Sequence, residues 1–547
     1  MQISSRIDMR FSWLRSLGVV CRVVLCPLLL VACESLVARA GSFEFTVTDA
    51  SGKPLPCRVS IQAPGGEGFV PQGAVELEFG PQRWFISPGY GKLEIPDGEV
   101  QLRIERGTEY QRTKEKVQIQ GATEKTFQLR RWVDMKRRGY LCGENHLHVD
   151  TKKLAPMLVA EGLDFGTSLT WWRGPDPERP IPAGEGRVRR LTFAGRTVPT
   201  SVYDAELEYD WGAAYIQNLP KPLPLEADRK RPNLDYLRYA VQAGAIVHYQ
   251  GGYAREVGLD SLLGCVHTVN VCNNNFALHR FQPRSRYSNL LEVPGFPIYP
   301  NTDVGMMRMN TDTYYRLLNW GLHLAAGAGT ATGVKKAPVG YNRAYVRVGS
   351  SASLEEFYAA WKAGKNFVTN GPMLFLTTSD GRRPGDTISL PVEGGTVQVQ
   401  VESLADQRLT GVEIIVNGEV AASLDVKDEH RVQGTVPLQI EAGAWIAARA
   451  TARDELLSDQ ELRAYADHRD RKQKQFAPSR LRFAHTSPIY VEVAGRGCAV
   501  PASIQEGLQM LDRFEAFAKA NARAAYQQSI QSALAHARRE LHARLEP

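Results

Sequence analysis

The sequence predicts a multidomain α/β plus β protein: a barrel-like α/β region flanked by two β-sandwich domains and closed by a C-terminal helical tail. Three observations predict it. The chain has 547 residues, and at roughly 100 to 200 residues per domain that asks for three or four separate cores. Hydrophobic alternation of period two is confined to two blocks, residues 41–135 and 371–495. Between them, short apolar runs alternate with helical stretches, which is the pattern of strands and helices in turn.

The first 40 residues read as an address. Arg6, Arg10 and Arg15 precede an apolar run at 23–33, well short of the roughly 20 residues that span a bilayer, so residues 1–40 are expected to be a signal peptide and the protein to be exported, periplasmic or extracellular. Ala38-Arg39-Ala40 before Gly41 fits an ordinary signal peptidase. Leu30-Val31-Ala32-Cys33 resembles a lipoprotein box, which makes a lipid anchor at Cys33 the alternative. The first processing route is favoured because a strand begins directly after Gly41, with no tether between. No later segment is long and apolar enough for a membrane helix.

From residue 43, Phe43, Phe45 and Val47 alternate with polar residues, a turn containing Gly52 follows, and Val59 and Ile61 resume the alternation. This predicts a β-hairpin. Leu93 and Ile95, then Val100, Leu102 and Ile104 after Asp97-Gly98, continue the pattern, so residues 41–135 read as a β-sandwich. Residues 136–370 form the α/β region, with strand-like runs at 163–169 and 245–247 and a helix over 234–243. Residues 371–495 return to period two, with Val397, Val399 and Val401, then Val412, Ile414 and Val416 before the Asn417-Gly418 turn. In the tail, 496–547, Ser503 with Glu506 predicts a capping box. Ile504, Leu508 and Leu511, then Tyr526, Ile530 and Leu534, recur at helical spacing, predicting one or two amphipathic helices.

Composition excludes several functions. The net charge is +7, but the first 40 residues hold five arginines against Asp8 and Glu34, leaving about +4 on the rest and no basic cluster interleaved with aromatics. Nucleic acid is not expected as a partner. After position 41, Cys57, Cys142, Cys265, Cys272 and Cys498 remain, with no CxxC pair, which excludes a zinc ribbon and leaves room for at most two disulfides. The sequence sets no oligomeric state.

The sharpest local signal is Gly143-Glu144-Asn145-His146-Leu147-His148. In an extended segment, residues i and i+2 face one side, so both imidazoles converge as two ligands of one metal require. The alternative is a pair of partly exposed or hydrogen-bonded histidines. The stretch resembles the metal-binding first strand of the PHP superfamily of metal-dependent hydrolases, usually Gly-Asp-x-His-x-His, with Glu144 at the Asp position. Resemblance to the carbaryl-hydrolase-type (CehA/McbA) branch extends over most of residues 41–495. Asp164-Phe165 resembles that family's entry into its second strand, and Tyr314-Tyr315-Arg316-Leu317-Leu318-Asn319 with Gly321 its helix before the last barrel strand. Pro338-Val339-Gly340-Tyr341-Asn342-Arg343-Ala344-Tyr345-Val346 and Phe367-Val368-Thr369-Asn370-Gly371-Pro372 are the most specific blocks. The resemblance implies a PHP-like distorted barrel at 136–370, a carboxypeptidase-regulatory-like sandwich at 41–135, and metal-assisted hydrolysis of an ester, amide or phosphoester by activated water.

The departures limit what carries over. Where the family's second strand ends in Asp-His, the chain has Thr170-Trp171-Trp172. Glu206 or Glu208 stands at the carboxylate position, but the Gly-His expected next is Gly212-Ala213. A later His position falls on Tyr249 or Gln250, beside His248, and a late Gly-Thr-Asp reads Gly329-Thr330-Ala331. The remaining ligand set is His146, His148, one of Glu206 and Glu208, and His248, enough for a single zinc, manganese or iron ion. Glu206 and Glu208 share a strand face, so reach decides between them.

Other candidates carry two readings each. Trp171 and Trp172 either stack on a small-molecule or carbohydrate-like ligand or pack in the core. Arg343 and Asn342 either contact substrate or anion or, in the case of Arg343, tie a loop down through carbonyls. The run from Gly327 to Gly333, near Lys335 and Lys336, is either an anion cradle or a tight loop. Asn273, Asn274 and Asn275 either point into the barrel mouth or form a turn. Cys265 beside His267, and Cys142 four before His146, carry the residue types of a thiol nucleophile without its geometry. Two functions follow: an exported hydrolase with a reduced metal site, or a non-catalytic binding or scaffolding protein of the cell envelope.

Overall fold

The computed structural model describes residues 40–175, 186–251, 255–283, 299–469 and 476–545. The expected signal peptide lies outside them, apart from Ala40. The protein is of mixed α/β structure, rich in strands that form several sheets.

At the N-terminus the strand Ala40–Thr48 lies between Tyr90–Pro96, antiparallel, and Ala122–Gln128, parallel. A six-stranded sheet is built around Cys57–Gln62, Gln82–Ser87 and Gly98–Glu105. Both sheets feed one core in which Phe43, Phe45, Val47, Val59, Ile61, Leu102 and Ile104 are all buried. The alternation read from the sequence is therefore the core face, but the predicted hairpin is confined to its turn, where Thr48 and Pro54 form one antiparallel bridge. The turn after Asp49 closes, yet Ala40–Thr48 and Cys57–Gln62 belong to different sheets. Period two says which face is buried and carries nothing about the partner strand.

The α/β region is organised on a seven-stranded sheet in the order Gly166–Trp172, Arg196–Tyr209, Gly212–Gln217, Ile246–Gln250, Thr268–Cys272 and Ala325–Ala328, with Val188–Phe193 paired to Arg196–Tyr209. Pairing is parallel except at Gly212–Gln217 and Val188–Phe193, whose pairs are antiparallel. The order is open, since its end strands share no ladder among the described residues. Residues 140–148 stand between those ends. Cys142 O accepts from the Asp164 and Phe165 N–H groups at one side, and Ala328 O accepts from the Asn145 N–H at the other. The helices Asn233–Gln242 and Asp303–Asn319 form where the sequence indicated them.

A nine-stranded sheet crosses the expected boundary at residue 370. Tyr140–Gly143, Arg343–Arg347 and Asn366–Thr369 lead directly to Leu481–Thr486, Ala444–Arg453 and Arg408–Val416. Met373–Thr378, Gly395–Leu404 and Arg431–Ile440 form a further sheet, and Val397, Val399 and Val401 face its core. The Asn417-Gly418 turn joins Arg408–Val416 to Glu419–Leu424 with both residues at positive φ, 50° and 93°, as a two-residue hairpin loop requires.

The tail is two helices, Pro501–Asn521 and Ala524–Ala543, tied by Arg538 to Asp512 and Glu515. They pack on the body, with Phe514 and Phe517 against Trp211. The predicted capping box is absent. Pro501 opens the helix, where its missing N–H costs nothing. Ser503 and Glu506 instead face inward, Ser503 Oγ bonded to Asn319 and Glu506 to Arg316. Among the described residues no helix is long and apolar enough to cross a membrane, and the five cysteines are free and buried.

Candidate metal centre

Residues 145–148 leave the strand Tyr140–Gly143 in extended form and are held by the glycine-rich segment after Ala325–Ala328. The Ala331 N–H donates to His146 O and the His148 N–H to Thr332 O, each at 2.7 Å, around a parallel bridge of Leu147 with Thr332. Leu147, 1% exposed, is thereby turned into the core, a burial that stabilises by about 2 kcal/mol, and His146 and His148 are driven together on the opposite side. Gly329 permits this approach: a Cβ there would stand 2.6 Å from His146 Cβ and 2.4 Å from Asn145 Oδ1. Directly after His148, Asp150 caps the helix Thr151–Ala160 through the Lys152 N–H and turns the chain away.

The third group comes from the strand Arg196–Tyr209. His146 Nε2 and His148 Nε2 are 2.8 Å apart, and the Glu206 carboxylate lies 3.3 Å from the first and 2.9 Å from the second. All three side chains are buried, at 2%, 7% and 3% exposure. Burial opposes ionisation of Glu206, but the two imidazoles outweigh it and hold the carboxyl well below its usual range. Tyr215, opposite Glu206 in the ladder, lays its ring 4.1 Å from that of His146 and donates its hydroxyl to Gln250. The Trp172 and His148 rings meet in an edge-to-face arrangement with their centres 4.6 Å apart.

These donors fit a divalent metal. Ligands on bonds of about 2.0 to 2.2 Å stand roughly 2.9 to 3.6 Å apart, close to the three separations here, and two imidazoles with one carboxylate suit zinc, iron or manganese. Three protein donors rather than four is the pattern of catalytic zinc sites. The supporting shell is incomplete at His146, whose Nδ1 is buried with no hydrogen-bond partner among the described residues.

The other predicted site residues are placed elsewhere. Glu208 reaches outward to accept from Trp172 Nε1 at 3.2 Å and to pair with Arg173. His248 is buried apart from the three donors, its Nδ1 2.7 Å from Thr268 Oγ1 and its ring against Trp361, and burial and then His267 hold its pKa well below the ordinary histidine value. Arg343 gives its guanidinium to Gly340 O and Glu161 O. Asn342 donates to the carbonyls of Asn273, Phe276 and Gly329. Both are loop ties rather than groups facing the three donors. Trp171 is core, near Tyr236. The glycine-rich run does not form an anion cradle, since its amides are already bonded within the protein: Ala331 N–H to His146 O, Thr330 N–H to the Glu144 carboxylate and Gly329 N–H to Cys272 O. Burial raises the thiols of Cys142 and Cys265, the latter to about 12, which disfavours thiolate chemistry.

Sequence reasoning did not single out Tyr215, or the reciprocal amide pair in which Asn145 and Asn270 bond at 2.7 and 3.0 Å. It also left Glu144 unassigned. This buried carboxyl accepts from the Thr330 and Gly340 N–H groups, so it pins both loops behind the histidines, and burial pushes its pKa up to about 8. Asn145 sits between Glu144 and His146 and was the one visible signal; Tyr215 and Asn270 stand in ordinary strands. No known family, curated protein or solved structure matches the chain.

Proposed function

We propose that the protein is an exported PHP-like metal-dependent hydrolase with a reduced, one-metal site, cleaving an ester, amide or phosphoester bond. The convergence of His146 Nε2, His148 Nε2 and the Glu206 carboxylate carries this reading. When bound, a divalent ion there supplies Lewis acidity and activation of water near neutral pH. The residues do the rest: Glu206, kept ionised, balances positive charge, the Tyr215 ring holds His146 in orientation, and Trp172 excludes solvent from the His148 side. The same reading takes the seven-stranded sheet, with residues 140–148 between its ends, as a distorted PHP-like barrel, and the β blocks at 41–135 and 371–495 as sandwiches.

A second reading, a non-catalytic ligand-binding or scaffolding protein of the cell envelope, draws on the burial of all three donors and the indole of Trp172 beside them. Metal analysis of the purified protein beside a His146→Ala, His148→Ala double variant separates the two. The hydrolase reading expects near-stoichiometric zinc, manganese or iron that is lost in the variant, and metal-dependent turnover of nitrophenyl esters or phosphoesters. A metal-free parent that takes up none of these ions and melts like the variant refutes it.

A further inference from the structure

At the other end of the strand Gly166–Trp172 a cleft of about 400 Å³ opens between the N-terminal sheets and the α/β region, within the range of small-molecule sites. It continues into a pocket of about 180 Å³, and Arg106, Lys136, Gly162, Asp164 and Arg196 line both. Most charges here are already matched. Arg131 pairs with Glu109 and Asp134, Glu161 with Arg58, and Arg343 is bound to carbonyls.

The three cations that line both spaces, Arg106, Lys136 and Arg196, form no ion pair among the described residues, although Arg106 lies over the Tyr110 ring at 5.5 Å. Lys136 and Arg196 are exposed. Arg106 is 4% exposed; its Nη1 donates to the Pro56, Val159 and Ala160 carbonyls, while its Nε is buried with no hydrogen-bond partner among the described residues. Its outer edge faces Gly162, where a Cβ would lie 3.5 Å from Nη2 and 3.9 Å from Nε. Burial and then the neighbouring Arg196 charge work against the Arg106 cation. Among the described residues that line both spaces the one carboxylate is Asp164, which accepts from the Cys142 N–H and is attracted by the Lys136 charge. A buried guanidinium beside a like charge, with a donor unsatisfied, is costly unless an anion completes it.

We propose that this cleft is a second ligand site, taking a small organic phosphate or sulfate whose anionic head sits among Arg106, Lys136 and Arg196 and whose apolar part lies on Leu163, Phe165 and Val198. The guanidinium fork of Arg106 suits tetrahedral oxyanions. The site is independent of the metal centre, because the seven residues of Gly166–Trp172 at about 3.3 Å each separate the two by roughly 20 Å.

Calorimetric titration of the full chain with phenyl phosphate tests it, beside a Lys136→Glu, Arg196→Glu variant that breaks no ion pair and a milder Arg196→Gln variant. Saturable binding is expected in the parent, weakened roughly tenfold or more by the charge reversal, weakened less by Arg196→Gln, and retained by the His146→Ala, His148→Ala protein. Equal affinity in parent and charge-reversed variant, loss of binding with the histidines, or no saturable binding at millimolar ligand would overturn it.

Discussion

Gly329→Ala tests how the candidate metal centre is built. Gly329 has no positive φ, so alanine is allowed there by the backbone, and the whole effect is steric. The added methyl would meet Asn145 Oδ1 at 2.4 Å and His146 Cβ at 2.6 Å, where ordinary contact begins at 3.4 Å. Relieving the second contact moves His146 by several tenths of an ångström, beyond the tolerance of about 0.2 Å on a metal–nitrogen bond. Overpacking of this kind costs about 1 to 3 kcal/mol, less a gain of about 0.4 to 1 kcal/mol from a stiffer unfolded chain. The expected outcome is a net loss of about 1 to 2 kcal/mol in urea unfolding and, on the proposed metal-binding reading, zinc uptake well under half that of the parent. Gly349→Ala is the control, with open space around its Cβ and no positive φ, and should match or slightly exceed the parent. A Gly329→Ala protein with the parent's stability and the parent's capacity to take up added zinc would refute the claim that close packing of the 325–332 segment sets His146.

Two further outcomes follow from buried polar groups. Asn270→Ala leaves the amide of Asn145 unpaired in a site where both residues are 0% exposed, at a cost of about 1 to 3 kcal/mol; adding Asn145→Ala should cost less than the sum of the singles, and strict additivity in the cycle would count against the pair. Asp454 is bound by Arg112 at 2.7 and 3.1 Å and by Arg482 at 2.7 Å. Burial opposes its ionisation, but the two arginines hold its pKa well below the ordinary carboxyl value. The folded pKa is depressed, so this stability is present above the unfolded pKa of about 3.9 and is lost as pH falls below it. Asp454→Asn should cost about 3 to 5 kcal/mol at neutral pH and flatten the acid limb of stability against pH; an unchanged limb would show that other carboxyls govern it.

What could be read in advance was local. The side chains at 43, 45 and 47, or at 397, 399 and 401, alternate because a strand's pleat repeats every two residues, and that repeat needs no knowledge of a partner. The same geometry put His146 and His148 on one side, with Leu147 opposite, as the structure has it. It also put Glu206 and Glu208 on one face, and could go no further. Two residues along a strand are about 6.6 Å, and only the placement of residues 145–148 beside Trp172 and Tyr215 made Glu206 the carboxylate that reaches both rings.

Everything that depended on which segments meet was decided by tertiary structure. The hairpin expected after residue 43 stops at its turn and its two strands join different sheets, because alternation names a buried face and not a neighbour. The run from Gly327 to Gly333 has the composition of an anion loop, yet its Ala331 N–H and Thr332 carbonyl are taken by the histidine segment, a pairing across some 180 residues of chain, and its Thr330 N–H by the Glu144 carboxylate. Arg343 and Asn342 stand in the most specific sequence blocks, but their side chains meet carbonyls that other parts of the chain bring to them. A sequence by itself determines the local conformations its backbone favours and the faces it can bury; partners, and with them the charge and reach of a site, arise only when distant segments compete for the same hydrogen bonds and the same core.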